Sequence, residues 1–129
     1  NNAYDNSLRY TDKLLANIIA QLNSLADVDS VMFYVSDHGE SLGEGGFFFH
    51  AAPNVIAPKE QFNIPFLVWL SSGFKQAHGL EGKAIITQQT FPHDFVFHSI
   101  MGAFEMRSDI YKSEFDIFNF TAAGPSRIG

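Results

Sequence analysis

The sequence has no cysteine. Disulfides and thiolate metal ligands are therefore excluded, while the redox compartment stays open. Positive charge is scarce: 8 Lys and Arg against 14 Asp and Glu leave a net charge of -6. No basic stripe or arginine cluster stands along the chain, so no nucleic-acid partner is expected. No run of about 18 apolar residues occurs, so no segment reads as a membrane-spanning helix. There is no signal-peptide pattern, no internal repeat and no low-complexity tract. The chain has no initiator Met, and its opening "NNAYDNSLRYTD" reads like the inside of a protein.

What is present describes a globular domain. The chain has 129 residues, of which 46% are hydrophobic and 17% charged, too apolar for a disordered segment. A domain of this size buries only a small core. Phenylalanine is abundant, with 14 residues, and part of that aromatic surface is expected to face a partner or another part of the protein.

Leu8, Leu15, Ile18, Ile19, Leu22 and Leu25 recur at helical spacing, which predicts a helix from about Tyr4 to Leu25 with Asp5 or Asn6 at its start. "VMFYVS" (Val31–Ser36) and "PFLVWLS" (Pro65–Ser71) are short apolar runs rich in β-branched and aromatic residues. Both suit strands buried on two faces of a parallel sheet, and Pro65 fits a first strand residue. Between them lies a long loop-rich stretch with Gly39, Gly43, Gly45, Gly46, Pro53 and Pro58, a length that in a compact domain is usually functional or disordered. "SSGFKQAHGLEGK" reads as a turn or surface loop. Phe91–Phe104 predicts a second helix with an apolar stripe of Phe95, Val96, Ile100 and Phe104 and with Pro92 near its first turn. The tail after Arg107 is mixed and its end, "AAGPSRIG", is expected to be loose. The order of elements is that of an α/β fold with a parallel sheet.

Ligand sites in such sheets gather at the carboxyl ends of strands. Asp37 and His38 stand just past the end of the first expected strand, in "YVSDHGESLGEGGFFFHAAP". A carboxylate and an imidazole suit zinc or manganese. Neighbours on a regular strand point to opposite faces, so the pair converges only if the backbone turns, which Gly39 eases. Glu40 and His50 can enter the same space as ligands, proton-transfer groups or anchors for a charged substrate. Two ligands are too few for a catalytic metal, so the rest of the site must lie elsewhere. Plainer roles suit other residues: His93 a helix-cap region, His98 a packed helix face, His78 a solvated turn, Asp94 a cap, Glu60 a solvated charge and Phe47–Phe49 packing.

The full string "YVSDHGESLGEGGFFFHAAPNVIAPKEQFNIPFLVWLS" resembles the phosphoethanolamine transferases that modify lipid A and related envelope glycolipids, within the alkaline phosphatase and sulfatase superfamily. The matching elements are "SDHGESLGE", a His before a small residue and Pro53, then "IAP", Gln61 and "IPFLVWLS". "YDNSLRYTD", "HDFVFHSIMG" and "EFDIFN" extend the likeness over nearly the whole chain. The resemblance implies the fold class: α/β, part of an alkaline phosphatase/sulfatase-like three-layer sandwich with a mostly parallel sheet. It implies that residues 1–129 are the carboxyl-terminal portion of a larger catalytic domain, single and incomplete. It makes Asp37 and His38 ligands of a catalytic zinc, with manganese as a possible substitute. It places Glu40 and His50 beside the phosphoethanolamine group, His50 also able to take a second zinc.

In the family the nucleophile is a threonine at the start of a helix, and a glutamate is a further zinc ligand. Both precede anything this chain matches, and Thr11, Thr87, Thr90 and Thr121 occupy no comparable context. The implied parent takes phosphoethanolamine from phosphatidylethanolamine onto the threonine, releases diacylglycerol, and passes the group to lipid A or another glycan. It works at the periplasmic face of the bacterial inner membrane, held there by an amino-terminal region. The isolated chain is expected to be inactive and to self-associate through exposed strand edges and helix faces. The alternatives are a sulfatase or phosphoglycerol transferase of the same superfamily, or a non-catalytic interaction module. Two departures stand out: Ala51 replaces a usual glycine, which would be strained at positive φ, and Asn54 replaces a common aromatic residue.

Overall fold

Residues 2–50, 53, 55–82 and 90–122 are described by the structure, a computed structural model. Ala51, Asn54, Thr87 and the tail from Ala123 lie outside them. The chain divides after Phe74 into two compact units.

The first unit opens with helix α1 (Asn2–Asn23), close to the predicted span. Asp5 falls in its first turn, where a carboxylate complements the helix dipole. Its apolar stripe is half-buried at Leu15, Ile18, Ile19 and Leu22 but exposed at Leu8 and Leu25. Strand β1 (Val31–Val35) follows, and two short strands, β2 (Ser41–Leu42) and β3 (Phe48–Phe49), come before β4 (Phe66–Leu70). β1 pairs with β4 from Val31↔Leu70 to Val35↔Phe66, and the rings of Phe33 and Phe66 stack with centroids 6.3 Å apart. The pair is tied at one end by Ser30 and Ser71. The Ser71 amide donates to the Ser30 carbonyl at 2.9 Å, and the Ser30 amide donates to Ser71 Oγ at 3.0 Å.

This pairing is antiparallel, which corrects the expectation of parallel neighbours within an otherwise α/β pattern. Parallel neighbours need a crossover connection, usually a helix. Among the described residues of the connection there is no α-helix, only the β2–β3 pair and 3-10 turns at Glu44–Gly46 and Lys59–Gln61. Nor are these strands buried on both faces: of their residues only Met32 is buried. A second correction follows β4. Ser72–Ala77, expected as loop, form helix α2. Ser71 Oγ accepts from the Phe74 amide at 3.2 Å and so caps the helix start.

The second unit is built around helix α3 (Asp94–Ala103). His93 stands at the cap position, as expected, without making a side-chain cap bond, and Asp94 lies in the first turn rather than capping it. Of the predicted stripe only Phe95 is buried. Ile100 and Phe104 are exposed, and the covered face is Phe95, His98, Ser99 and Met101. Polar groups occupy that face because α3 accepts hydrogen bonds from the segment packed on it. His98 Nδ1 accepts from the Lys112 amide at 3.1 Å, and its ring stacks on Phe115 with centroids 5.7 Å apart. Ser99 Oγ accepts from the Ile117 amide at 3.0 Å. The mixed tail is therefore ordered through a 3-10 turn (Ser113–Phe115) and helix α4 (Ile117–Ala122).

Asp116, 3% exposed, joins these pieces. Its Oδ1 accepts from the Phe118 amide at 2.9 Å and caps α4, and its Oδ2 accepts from the Tyr111 hydroxyl at 2.6 Å. Burial, and then the hydrogen bond to Asp116, push the Tyr111 phenol up to about 12. An acid whose folded value is raised contributes stability in its protonated form. That contribution is complete below the unfolded tyrosine value of about 10 and is lost as the pH rises towards 12. Tyr111→Phe should lower stability at neutral pH by about 1.5–3 kcal/mol, as for a hydrogen bond to a charged group. The gap between variant and parent chain should close between pH 10 and 12, read by urea denaturation. A gap that stayed constant across that window would show that the Tyr111–Asp116 bond does not hold this unit.

Candidate functional site

β1 ends at Val35, and the chain turns within the next four residues. Ser36 Oγ donates to the His38 carbonyl at 2.7 Å. The His38 amide donates to Asp37 Oδ1 at 3.1 Å. These local bonds break the alternation of the strand, so the two side chains share one side. His38 Nε2 lies 3.9 Å from Asp37 Oδ1. His38 Nδ1 sits 2.9 Å from the Gly39 carbonyl. A carbonyl only accepts, so Nδ1 carries the proton, and in the neutral ring Nε2 is left with a free lone pair.

Glu40 and His50 are brought together by the glycine-rich loop, which is a hairpin. Ser41 pairs with Phe49 and Leu42 with Phe48, both antiparallel. The next residues outward are Glu40 and His50, which therefore stand opposite each other. The turn between them needs positive φ at Gly43 (124°), Gly45 (59°) and Gly46 (83°), a region that side chains strongly disfavour. Leu42 N also donates to Glu44 Oε2 at 2.6 Å. His50 Nδ1 lies 3.2 Å from Glu40 Oε2, with the side chains 49% and 31% exposed. A pair this exposed contributes about 0.2–1 kcal/mol, so the strand pairing and the glycine turn form the hairpin rather than the ion pair. Of the phenylalanine run, expected as packing, Phe48 is exposed.

The two arms meet. The rings of His38 and His50 have centroids 4.1 Å apart and are inclined by 30°. Gly39 joins them, and its value there is the space it leaves. Its amide donates to the Gln61 carbonyl at 3.0 Å, and a Cβ on it would overlap the Glu60 carbonyl oxygen. Glycine is thus required by a close approach of backbone to backbone, not only by the turn anticipated from sequence. Gln61 is 5% exposed, and its Nε2 donates to Ser41 Oγ at 2.9 Å. Sequence reasoning assigned Gln61 no role beyond a matching letter.

A cation fits the first arm. A lone pair on His38 Nε2 faces a carboxylate oxygen, an arrangement that only a proton or a metal ion makes favourable. Tetrahedral zinc bonds of about 2.0–2.2 Å would set the two atoms about 3.4 Å apart, so a small side-chain rotation from the observed 3.9 Å separation would bring both onto one ion. The His38 Nδ1–H bond to a main-chain carbonyl is also the usual outer support of a metal-binding imidazole. The donor set is incomplete: among the described residues no group of three or more His, Asp or Glu side chains is placed to hold a metal ion. On the second arm Glu40 Oε1 is buried and has no hydrogen-bond partner among the described residues, so Glu40 retains capacity for a cation or a hydrogen-bond donor. Among the described residues no threonine stands at a helix start as a substitute nucleophile. Thr11 is inside α1, Thr90 lies in the segment before α3, and Thr121 is inside α4.

Comparison with known proteins places the chain in a family. The sulfatase family pattern matches residues 1–106. Phosphoethanolamine transferase EptA of Helicobacter pylori is 43% identical over 119 residues, covering 90% of this chain and 22% of that protein. The soluble domain of lipooligosaccharide phosphoethanolamine transferase A from Neisseria meningitidis superposes with a TM-score of 0.78 at 38% identity. The match covers 88% of this chain and 35% of that one. The C-terminal periplasmic domain of phosphoethanolamine transferase EptC from Campylobacter jejuni gives a TM-score of 0.75 at 38% identity, covering 90% and 36%. The chain thus spans about a fifth of the length of the curated relative, and the alkaline phosphatase-like α/β class expected from sequence holds.

Proposed function

Because the chain belongs to the sulfatase family, we propose that it forms part of a phosphoethanolamine transferase. The enzyme would move phosphoethanolamine from phosphatidylethanolamine to lipid A or another envelope glycan through a phosphothreonine, the threonine lying outside this chain. The observation that carries the proposal is the meeting of two arms at one point: the open Nε2 of His38 beside Asp37, and the His50 ring 4.1 Å away on a hairpin that also brings Glu40. The names of the similar proteins supply the reaction class.

Asp37 and His38 would hold a zinc ion, or manganese in its place, together with ligands from the remainder of the protein. When bound, the ion lowers the pKa of a coordinated hydroxyl and offsets charge on phosphoryl oxygens. The residues of this chain do the rest of the work assigned to it. The Gly39 carbonyl keeps the proton on His38 Nδ1, so the other nitrogen stays a donor of electrons. His50 presents an imidazole beside the same point, suited to a hydrogen bond with a phosphoryl oxygen, where charge develops. The unpartnered buried oxygen of Glu40 suits the ammonium end of phosphoethanolamine. The parent would act at the periplasmic face of the bacterial inner membrane through a region outside this chain. Among the described residues, no helix is long and apolar enough to cross a membrane.

In the full-length protein, Asp37→Ala and His38→Ala should abolish transfer. His50→Ala should reduce it about 10–100-fold, as loss of a supporting group does at a metal site, and leave the tightly bound metal in place. Metal analysis beside a lipid-modification assay checks all three. Normal activity in His38→Ala would remove the assignment. The 129-residue chain itself should show no measurable transfer and only weak zinc binding, because catalytic zinc needs three protein ligands. Calorimetry finding nanomolar affinity that survives His38→Ala would contradict this.

The chain should also self-associate. α1 exposes Tyr10 (72%) and Leu14 (48%), neighbours four residues apart on one helix face, which leaves apolar surface open to a second copy. Sedimentation velocity across the micromolar range should show association, and a single monomeric species throughout would rule it out.

A further inference from the structure

We propose that Gln61 is the positioning residue that holds the two arms of the site in register. The arms come from different pieces of local structure. Asp37 and His38 hang on the turn after β1, and Glu40 and His50 on the β2–β3 hairpin. Gln61 touches both. Its main-chain carbonyl accepts from the Gly39 amide at 3.0 Å, which fixes the turn. Its side-chain amide donates to Ser41 Oγ at 2.9 Å, which fixes the base of the hairpin one residue from Glu40. Both ends of the second bond are dry, Gln61 being 5% and Ser41 1% exposed. Water therefore does not compete for it, which makes the bond costly to break. The 3-10 turn that carries Gln61 is closed by its own bonds, from the Gln61 amide to the Pro58 carbonyl and from the Asn63 amide to the Lys59 carbonyl, at 3.0 and 2.8 Å. Gln61 is thus presented by a folded turn rather than by a loose loop. By contrast, His38 and His50 are 45% and 49% exposed, so packing around the rings is not what sets their separation.

The inference rests on the proposed function only in treating Asp37, His38, Glu40 and His50 as one site. Its test uses neither metal nor turnover, so it can fail while that function stands, and the reverse. The probe is the nuclear Overhauser contact between the imidazole rings of His38 and His50 in the 129-residue chain, with the amide spectrum of β1 and β4, in the same unit, as an internal control of folding. Gln61→Ala should lose the ring contact and shift both sets of imidazole resonances, with the control spectrum unchanged. Gln61→Glu should restore the contact, because its carboxylate can accept from the Ser41 hydroxyl. Ser41→Ala removes the same hydrogen bond from the other end with little loss of volume and should match Gln61→Ala; if Gln61→Ala does not fold, this variant decides alone. A lower melting temperature with the ring contact intact would make Gln61 a merely structural residue and overturn the proposal. So would loss of the contact in Gln61→Glu as well, since the hydrogen bond would then not be the agent.

Discussion

One hydrogen bond organises this site: the Gly39 amide donating to the Gln61 carbonyl. It requires two stretches of backbone to approach so closely that a methyl group on residue 39 would overlap the Glu60 carbonyl oxygen. On one side of that contact the chain leaves β1 and presents Asp37 and His38. On the other it enters the hairpin that returns His50 to Glu40. Without the contact, the arms would keep only the peptide link through Gly39 and the contact of two half-exposed rings, since the Gln61–Ser41 bond would then anchor the hairpin alone. Neither is enough to fix a geometry.

Chemical direction follows from the same turn. Because residue 39 offers its carbonyl to His38 Nδ1, the imidazole is committed to one tautomer, and its open nitrogen faces a carboxylate. A main-chain acceptor makes that commitment independent of any side chain that could move. The hairpin adds a second imidazole and a carboxylate with one buried, unpartnered oxygen. Under the proposed function these groups would serve a metal cation, a phosphoryl group and an ammonium group, with the nucleophile supplied from outside this chain. On that proposal the chain would hold part of a reaction centre, and it does match only about a fifth of its curated relative's length.

Much of this was legible in the sequence. The periodicity of Leu15, Ile18, Ile19 and Leu22 gave α1, and the β-branched and aromatic runs gave β1 and β4. The position of Asp37 and His38 beyond the carboxyl end of β1 was readable from the strand boundary. Other features were not. The direction of β4 depends on a connection whose hairpin strands are two residues each, too short to leave a period. α2 was hidden because Ser71, Ser72 and Gly73 read as a turn, although Ser71 is its cap. The covered face of α3 was misjudged because apolar spacing cannot reveal that His98 and Ser99 accept main-chain hydrogen bonds. Gln61 looked like one polar residue in a polar loop, since its partners lie about twenty positions away in Gly39 and Ser41.

The most direct measurement of the central claim is hydrogen exchange at the Gly39 amide in the unmodified chain. If the close approach to Gln61 organises the site, this amide is protected and exchanges at a rate comparable to the paired amides of β1, although it lies in a turn outside any strand. Exchange at the rate of an open loop, with β1 still protected, would mean that the contact does not persist in solution. The two arms of the site would then have no common anchor.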